Sequence, residues 1–155
     1  MDWVVGIGNT LRGDDGVGAY IVSRLPRSDA VSLDAVQQLT PDWTDRLDGA
    51  SRVLFIDADA EGDTPRIERL ETSKAVPIGH TIRPESLMAW MDAICTAVPE
   101  AWLLRVPAFC FDVGAPLSDR CSEHAEHAVQ LARAWLGIDN ADKASRSSRS
   151  VAAQT

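Results

Sequence analysis

Residues 6–18 of the chain read GIGNTLRGDDGVG, a glycine-rich loop that also carries two adjacent carboxylates, Asp14 and Asp15. Residues 3–7 at the start of the loop are mostly apolar, which is typical of a strand covered on both faces. From Val17 to Leu25, apolar residues recur at helical spacing. The loop is therefore predicted to be a strand-to-helix turn. It would place Asp15 near a helix N-terminus, where the partial positive charge favours an ionised carboxylate.

The same loop sequence is compatible with two other interpretations. Gly6-Ile7-Gly8 begins like the GxGxxG loop of dinucleotide-binding proteins, but Leu11 stands where the third glycine would be. Two carboxylates would also face the pyrophosphate, which is electrostatically unfavourable. Nucleotide binding is thus disfavoured. The simpler alternative, in which Asp14 and Asp15 only cap the first helix, stays open.

Composition narrows the class of protein. The chain has 155 residues, of which 45% are hydrophobic, enough for the core of one domain. With 23 acidic and 15 basic residues, its net charge of -8 argues against nucleic-acid binding. Three cysteines without CxxC spacing indicate neither a disulfide framework nor a structural zinc site. No signal sequence or membrane-length apolar run is apparent, so we expect a cytoplasmic protein that does not bind membranes.

Strand and helix patterns alternate along the chain and predict a single α/β domain, a three-layer α/β/α sandwich with a mostly parallel central sheet. Residues 3–7, 53–57 and 102–106 are the predicted central strands. The domain is expected to span residues 1–138. Residues 139–155, which lack periodicity, are predicted to be a disordered tail.

Several finer features follow from local sequence. Thr40-Pro41 is typical of the start of a short helix, and Pro84 of the start of a longer one. Residues 66–70 suit an edge or hairpin strand. Ser118 is predicted to cap the last helix. The helix that begins at Pro84 is predicted to place one apolar stripe on the core: Leu87, Met91, Ile94 and Val98.

Three candidate metal ligands follow different elements of this predicted sheet. Asp15 lies in the first loop, Asp57 ends the apolar strand Val53–Ile56, and His80 lies in a loop just before a helix. Because the loops after parallel strands meet at one edge, we expect these side chains to converge. Two carboxylates and one imidazole leave coordination positions open, as in a site whose metal must also contact a substrate.

Taken together, these residues resemble the hydrogenase maturation endopeptidases, which trim the C-terminus of the large subunit of nickel-iron hydrogenases after nickel insertion. The run GIGNTLRGDDGVG looks like the family's N-terminal signature, and Asp15 matches its second acid. Asp57 matches the acid of the segment VLFIDAD, and His80 the histidine of a His-x-x-x-Pro segment that ends at Pro84. The resemblance extends from about residue 3 to about residue 136.

The resemblance implies a peptidase in which Asp15, Asp57 and His80 bind nickel that the substrate supplies. The partner would be the immature large subunit, and the chain is expected to be a monomer. Water could attack a metal-polarised carbonyl with Asp15 or Asp57 as general base. The sequence departs from the family at Arg83, where a small N-capping residue commonly precedes the proline; arginine cannot accept the capping hydrogen bond.

Other polar residues are better explained by structure than by chemistry. Asn9, Asp14 and Asp59 are interpreted as turn residues, although they could orient the ligands. His124 and His127 are interpreted as part of a solvated helix face, and Cys110 as a small buried hydrophobe. A second class of function stays open, in which the chain is a non-enzymatic metal carrier or a nucleotide-binding regulatory module.

Overall fold

A computed structural model describes residues 1–71 and 81–138 of the chain. Over these residues, a five-stranded sheet carries helices on both faces. The strands are β1 (Asp2–Ile7), β2 (Val31–Val36), β3 (Arg52–Asp59), β4 (Arg66–Arg69) and β5 (Glu100–Pro107). The helices are α1 (Val17–Ser23), α2 (Trp43–Leu47), α3 (Pro84–Ile94) and α4 (Asp119–Trp135).

The strands run in the order β2-β1-β3-β5-β4. β1 pairs in parallel with β2 and β3, and β3 pairs in parallel with β5. β4 alone is antiparallel, and it lies at an edge beside β5. The three strands predicted to be central are therefore confirmed, and so is the edge strand predicted at residues 66–70. Because four strands are parallel, their carboxyl ends meet at one edge of the sheet.

Successive residues of the central strands point to opposite faces of the sheet and belong to two separate apolar clusters. On one face, Val4, Leu54 and Leu104 pack against α1 and α4. On the other, Val5 and Phe55 pack against α2 and α3. All five side chains are fully buried, as the continuous apolar runs require of strands covered on both sides. The three-layer arrangement predicted from the sequence is thus confirmed.

Helix α4 illustrates how local sequence produces one of these layers. Ser118 caps it as predicted, because its Oγ accepts a hydrogen bond of 3.2 Å from the N–H of Cys121. Small residues at helical spacing then face the sheet and let the helix approach closely. They are all fully buried: Cys121, Ala125, Ala128 and Ala132.

Two helix predictions were partly wrong. Helix α2 begins at Trp43, because Thr40–Asp42 form a preceding turn in which the carbonyl of Thr40 accepts the N–H of Trp43. Helix α3 begins at Pro84 as predicted but ends at Ile94, which is 70% exposed. Val98 therefore lies beyond the helix, and only the first two residues of the predicted stripe, Leu87 and Met91, are fully buried on it.

The predicted tail, residues 139–155, lies outside the described residues, as does His80. Within the described part of the chain, no helix combines the length and the apolarity that crossing a bilayer would require.

Candidate functional site

Asp15 lies in a single turn of 3₁₀ helix, Gly13–Gly16, that leads directly into α1. Its Oδ2 accepts a hydrogen bond of 2.7 Å from the N–H of Asn9, so the loop folds back over the carboxylate. Gly8 makes this possible. It has a φ of +139°, and a Cβ at that position would lie 1.9 Å from the carbonyl oxygen of Asp15. The glycine-rich loop therefore holds Asp15 in one place.

Asp14, the neighbouring acid, points the opposite way and is fully buried. Its carboxylate accepts the backbone N–H groups of Phe109, Cys110 and Ser118 and the hydroxyl of Ser118, at distances of 2.6 to 3.0 Å. Burial by itself would raise the pKa of Asp14, but these hydrogen bonds outweigh it and hold the pKa below its usual value. Asp14 thus joins the first loop to the β5–α4 loop, which confirms its interpretation as a structural residue.

Neither acid caps α1 through its side chain, because the N-cap position belongs to Gly16. The simpler alternative for the Asp14-Asp15 pair is therefore wrong. Asp14 links two loops through its hydrogen bonds, and Asp15 is half-buried at the edge of the sheet.

Asp57 ends the buried part of β3, directly opposite Arg105 on β5. Its Oδ1 accepts a hydrogen bond of 2.9 Å from the N–H of Ala58. The pKa of Asp57 is raised to about 6, mainly by burial; the charge of Asp15 also raises it, whereas the Ala58 hydrogen bond, Arg105 and Arg83 lower it. Asp15 is thus close enough to Asp57 for its charge to raise the pKa of Asp57.

Both acids line one cleft of about 480 Å³ at the carboxyl edge of the sheet. Gln37 and Gln38, which directly follow β2, line it as well, and so does Thr81. A hollow of similar volume lies at the other end of β5, beside Leu70 and Glu100, and contains neither acid. The two acids that the sequence predicted to be metal ligands therefore lie in the first cleft.

The third predicted ligand, His80, lies outside the described residues; the described chain resumes at Thr81. Among the described residues, no group of three His, Cys, Asp or Glu side chains is arranged to hold a metal ion. Arg83 precedes α3 without a side-chain capping hydrogen bond, as its chemistry predicts. It lies instead in the wall of the cleft.

Sequence reasoning missed four polar residues of this region. Gln37 and Gln38 follow a strand at the same edge as the acids, and applying the strand-end rule to β2 could have found them. Arg12 lies within the glycine-rich loop, and it lines the cleft as well. Arg105 faces Asp57 only because β5 is the neighbour of β3, which requires the strand order.

The histidines and cysteines do not form a second site in the described part of the chain. The His124 ring packs on Phe109 with centroids 5.8 Å apart, and His127 is exposed. Cys110 is half-buried beside Phe109 rather than fully buried. Burial and the nearby Asp14 raise the pKa of Cys121 to about 12, so its thiol stays protonated.

Solved structures of three proteins share this fold. The hydrogenase maturating endopeptidase HybD of Escherichia coli matches with a TM-score of 0.70 and 19% identity over 89% of this chain and 93% of its own. The NiFe hydrogenase maturation protease HycI of Thermococcus kodakarensis matches with a TM-score of 0.67 and 18% identity over 84% and 88%. The hydrogenase 2 maturation peptidase of a Thaumarchaeota archaeon matches with a TM-score of 0.63 and 24% identity over 88% and 98%.

No protein-family model and no curated protein matches the sequence. At the identities of the solved structures, the likeness establishes the fold.

Proposed function

We propose that the protein is a peptidase that removes the C-terminal extension from the large-subunit precursor of a nickel-iron hydrogenase. One observation carries the proposal: Asp15 and Asp57 line a single cleft, in a fold shared with hydrogenase maturation endopeptidases. Both positions were predicted from the sequence by their place after strands of a parallel sheet, and both match that family's motifs. An unrelated use of the same fold would not require acids at both positions.

Nickel enters this proposal as part of the substrate. The two carboxylates, together with His80, which is bonded to the cleft residue Thr81, would offer oxygen and nitrogen ligands to a divalent ion and leave other positions open. No thiolate is present in this set, so the chain alone would hold nickel only moderately. Cysteine thiolates of the precursor would complete the shell, so that only a nickel-loaded precursor docks.

The residues of the chain suit hydrolysis once the precursor is bound. Nickel would supply the positive charge that polarises the peptide carbonyl. Asp15 or Asp57 would act as the general base that accepts a proton from the attacking water. The Asn9 N–H fixes one oxygen of Asp15, which leaves the other carboxylate oxygen to act as a ligand or as a base.

The test is to incubate the purified protein with nickel-loaded and nickel-free large-subunit precursor from the source organism and to follow the mass of the large subunit. We expect cleavage of the loaded precursor alone, and its loss in Asp15→Ala, Asp57→Ala and His80→Ala. Asp112→Ala and His127→Ala, at exposed positions outside the cleft, are the matched controls and should cleave normally.

The alternatives predict different results. Equal cleavage of both precursors would contradict nickel recognition while leaving the peptidase intact. A metal carrier would bind nickel tightly and stoichiometrically without cleaving any partner. We also propose that the protein works as a monomer in the cytoplasm, which size-exclusion chromatography and cell fractionation test directly.

A further inference from the structure

A smaller groove of about 210 Å³ adjoins the acidic cleft. The two hollows share Gly8, Asn9 and Gln37, which form the wall between them. The lining of the cleft carries four charged side chains, whereas the rest of the groove is lined mainly by apolar side chains. The groove residues that the cleft does not share are Thr10, Leu11, Ala19, Ala35 and Val36.

Leu11 is the unusual member of this lining, because a large apolar side chain is kept 69% exposed. Its backbone is held from two sides. The N–H of Leu11 donates to Oδ1 of Asn9 at 2.9 Å, and its carbonyl accepts the N–H of Gly114 at 2.7 Å. Leu11 is therefore a fixed wall of the groove, and its exposed surface is available for contact.

Asn9 connects this groove to the chemistry of the cleft. Its side chain positions Leu11, and its backbone N–H donates to Oδ2 of Asp15 at 2.7 Å. The N–H of Gly8, next to it, donates to the carbonyl of Val36 at 2.9 Å and ties the wall to β2. A substrate side chain bound in the groove would thus contact Asn9, the residue whose N–H donates to Asp15.

We infer that this groove is a substrate subsite that binds one apolar side chain next to the peptide bond that is cleaved. The inference rests on the proposed function and names a specificity determinant for it. The groove is smaller than the roughly 300 to 1,000 Å³ of pockets for whole small molecules, which suits a single side chain. Its continuity with the cleft makes its occupant the polypeptide that reaches Asp15 and Asp57.

Two variants change the groove in opposite ways. Leu11→Ala removes its exposed apolar wall, and Ala35→Leu fills part of its volume from the edge strand β2. Both positions are exposed, so the fold should be retained. Ile94→Ala is the matched control, because Ile94 is an aliphatic residue with 70% exposure that lies outside the groove.

The probe is the nickel-loaded large-subunit precursor from the source organism. Its cut is located by mass spectrometry, and each flanking residue is changed singly to Ala, Leu or Asp. At one flanking position, the unaltered protein should prefer Leu to Asp by about ten-fold or more in kcat/KM. Leu11→Ala should reduce the advantage of Leu over Ala there, and Ala35→Leu should invert it. Ile94→Ala should keep the preference of the unaltered protein.

Two outcomes separate this inference from the proposed function. If the unaltered protein cleaves but shows no apolar preference, or if the groove variants keep the preference unchanged, the subsite is overturned and the peptidase stands. If the unaltered protein cleaves none of the loaded precursors, the proposed function and the subsite are overturned together.

Discussion

At the scale of single residues, the adjacent acids Asp14 and Asp15 perform opposite tasks. Asp14 has its carboxylate saturated by hydrogen bonds from the β5–α4 loop, whereas Asp15 makes one such bond and faces the cleft. The sequence could select the pair but could not assign the tasks, because the partners of Asp14 lie about a hundred residues away. Only the packing of the two loops distinguishes them.

This difference predicts contrasting variants. Asp14→Ala should lower the free energy of unfolding by about 3 kcal/mol or more, because it removes four hydrogen bonds made by a fully buried carboxylate. Asp15→Ala should lower it by only about 1 kcal/mol while abolishing cleavage. Urea unfolding of both variants, with the cleavage assay beside it, checks the contrast. Equal loss of stability in the two variants would contradict the assignment.

We expect the ionised carboxylate of Asp57 to be needed for cleavage and at the same time to lower the stability of the fold. Its pKa is raised from 3.8 to about 6 on folding, mainly by burial, so its ionisation opposes folding. The folded state binds the proton more tightly, and stability from this group is therefore present below pH 4 and is lost as pH rises through 6.

We expect Asp57→Asn, which keeps an oxygen for the Ala58 N–H, to raise the free energy of unfolding by about 3 kcal/mol at pH 7. The same variant should cleave no precursor. Urea unfolding at pH 7 and pH 4 is the measurement, and the gain should vanish at pH 4. A variant that is less stable than the unaltered protein at pH 7 would show that ionisation of Asp57 does not oppose folding.

At the scale of elements, the first loop depends on a backbone shape that only glycine adopts easily. Gly8→Ala should cost about 2 kcal/mol or more and abolish cleavage, because the new Cβ would collide with the carbonyl of Asp15. Gly49→Ala is the matched control. Gly49 also has a positive φ, of +75°, but nothing lies within 4 Å of a Cβ there.

The control should therefore lose only about 1 kcal/mol and keep full cleavage. Thermal unfolding and the cleavage assay compare the two variants. If both alanines affect cleavage alike, the loop does not position Asp15 in the way that we describe.

The same scale shows where sequence patterns succeed and where they fail. Continuous apolar runs identified β1, β3 and β5 because strands buried on both faces must be apolar throughout. Capping chemistry placed the starts of α3 and α4 correctly. Thr40-Pro41 failed as a helix start because the same residue types also form turns. Ile94 failed as a core residue because it is the last residue of α3 and is 70% exposed.

At the scale of the whole molecule, the parallel topology brings residues that are distant in sequence to one edge of the sheet. The sequence could predict that Asp15 and Asp57 meet, because the strand-end rule needs only parallel strands. It could not predict that Arg105 would face Asp57 or that Arg12 would reach the cleft, since these depend on strand order and side-chain direction. The place of His80 stays a prediction.

The extent of the domain gives a last prediction. The fully buried residues of α4 end at Ala132, and Gly137, with a φ of +74°, follows the helix in the conformation that ends many helices. No core residue in the described part of the chain lies beyond this point. Deleting residues 139–155 should therefore leave the urea midpoint and the cleavage of loaded precursor unchanged. A loss of stability would place those residues in the fold, whereas a loss of cleavage alone would assign them to binding the precursor.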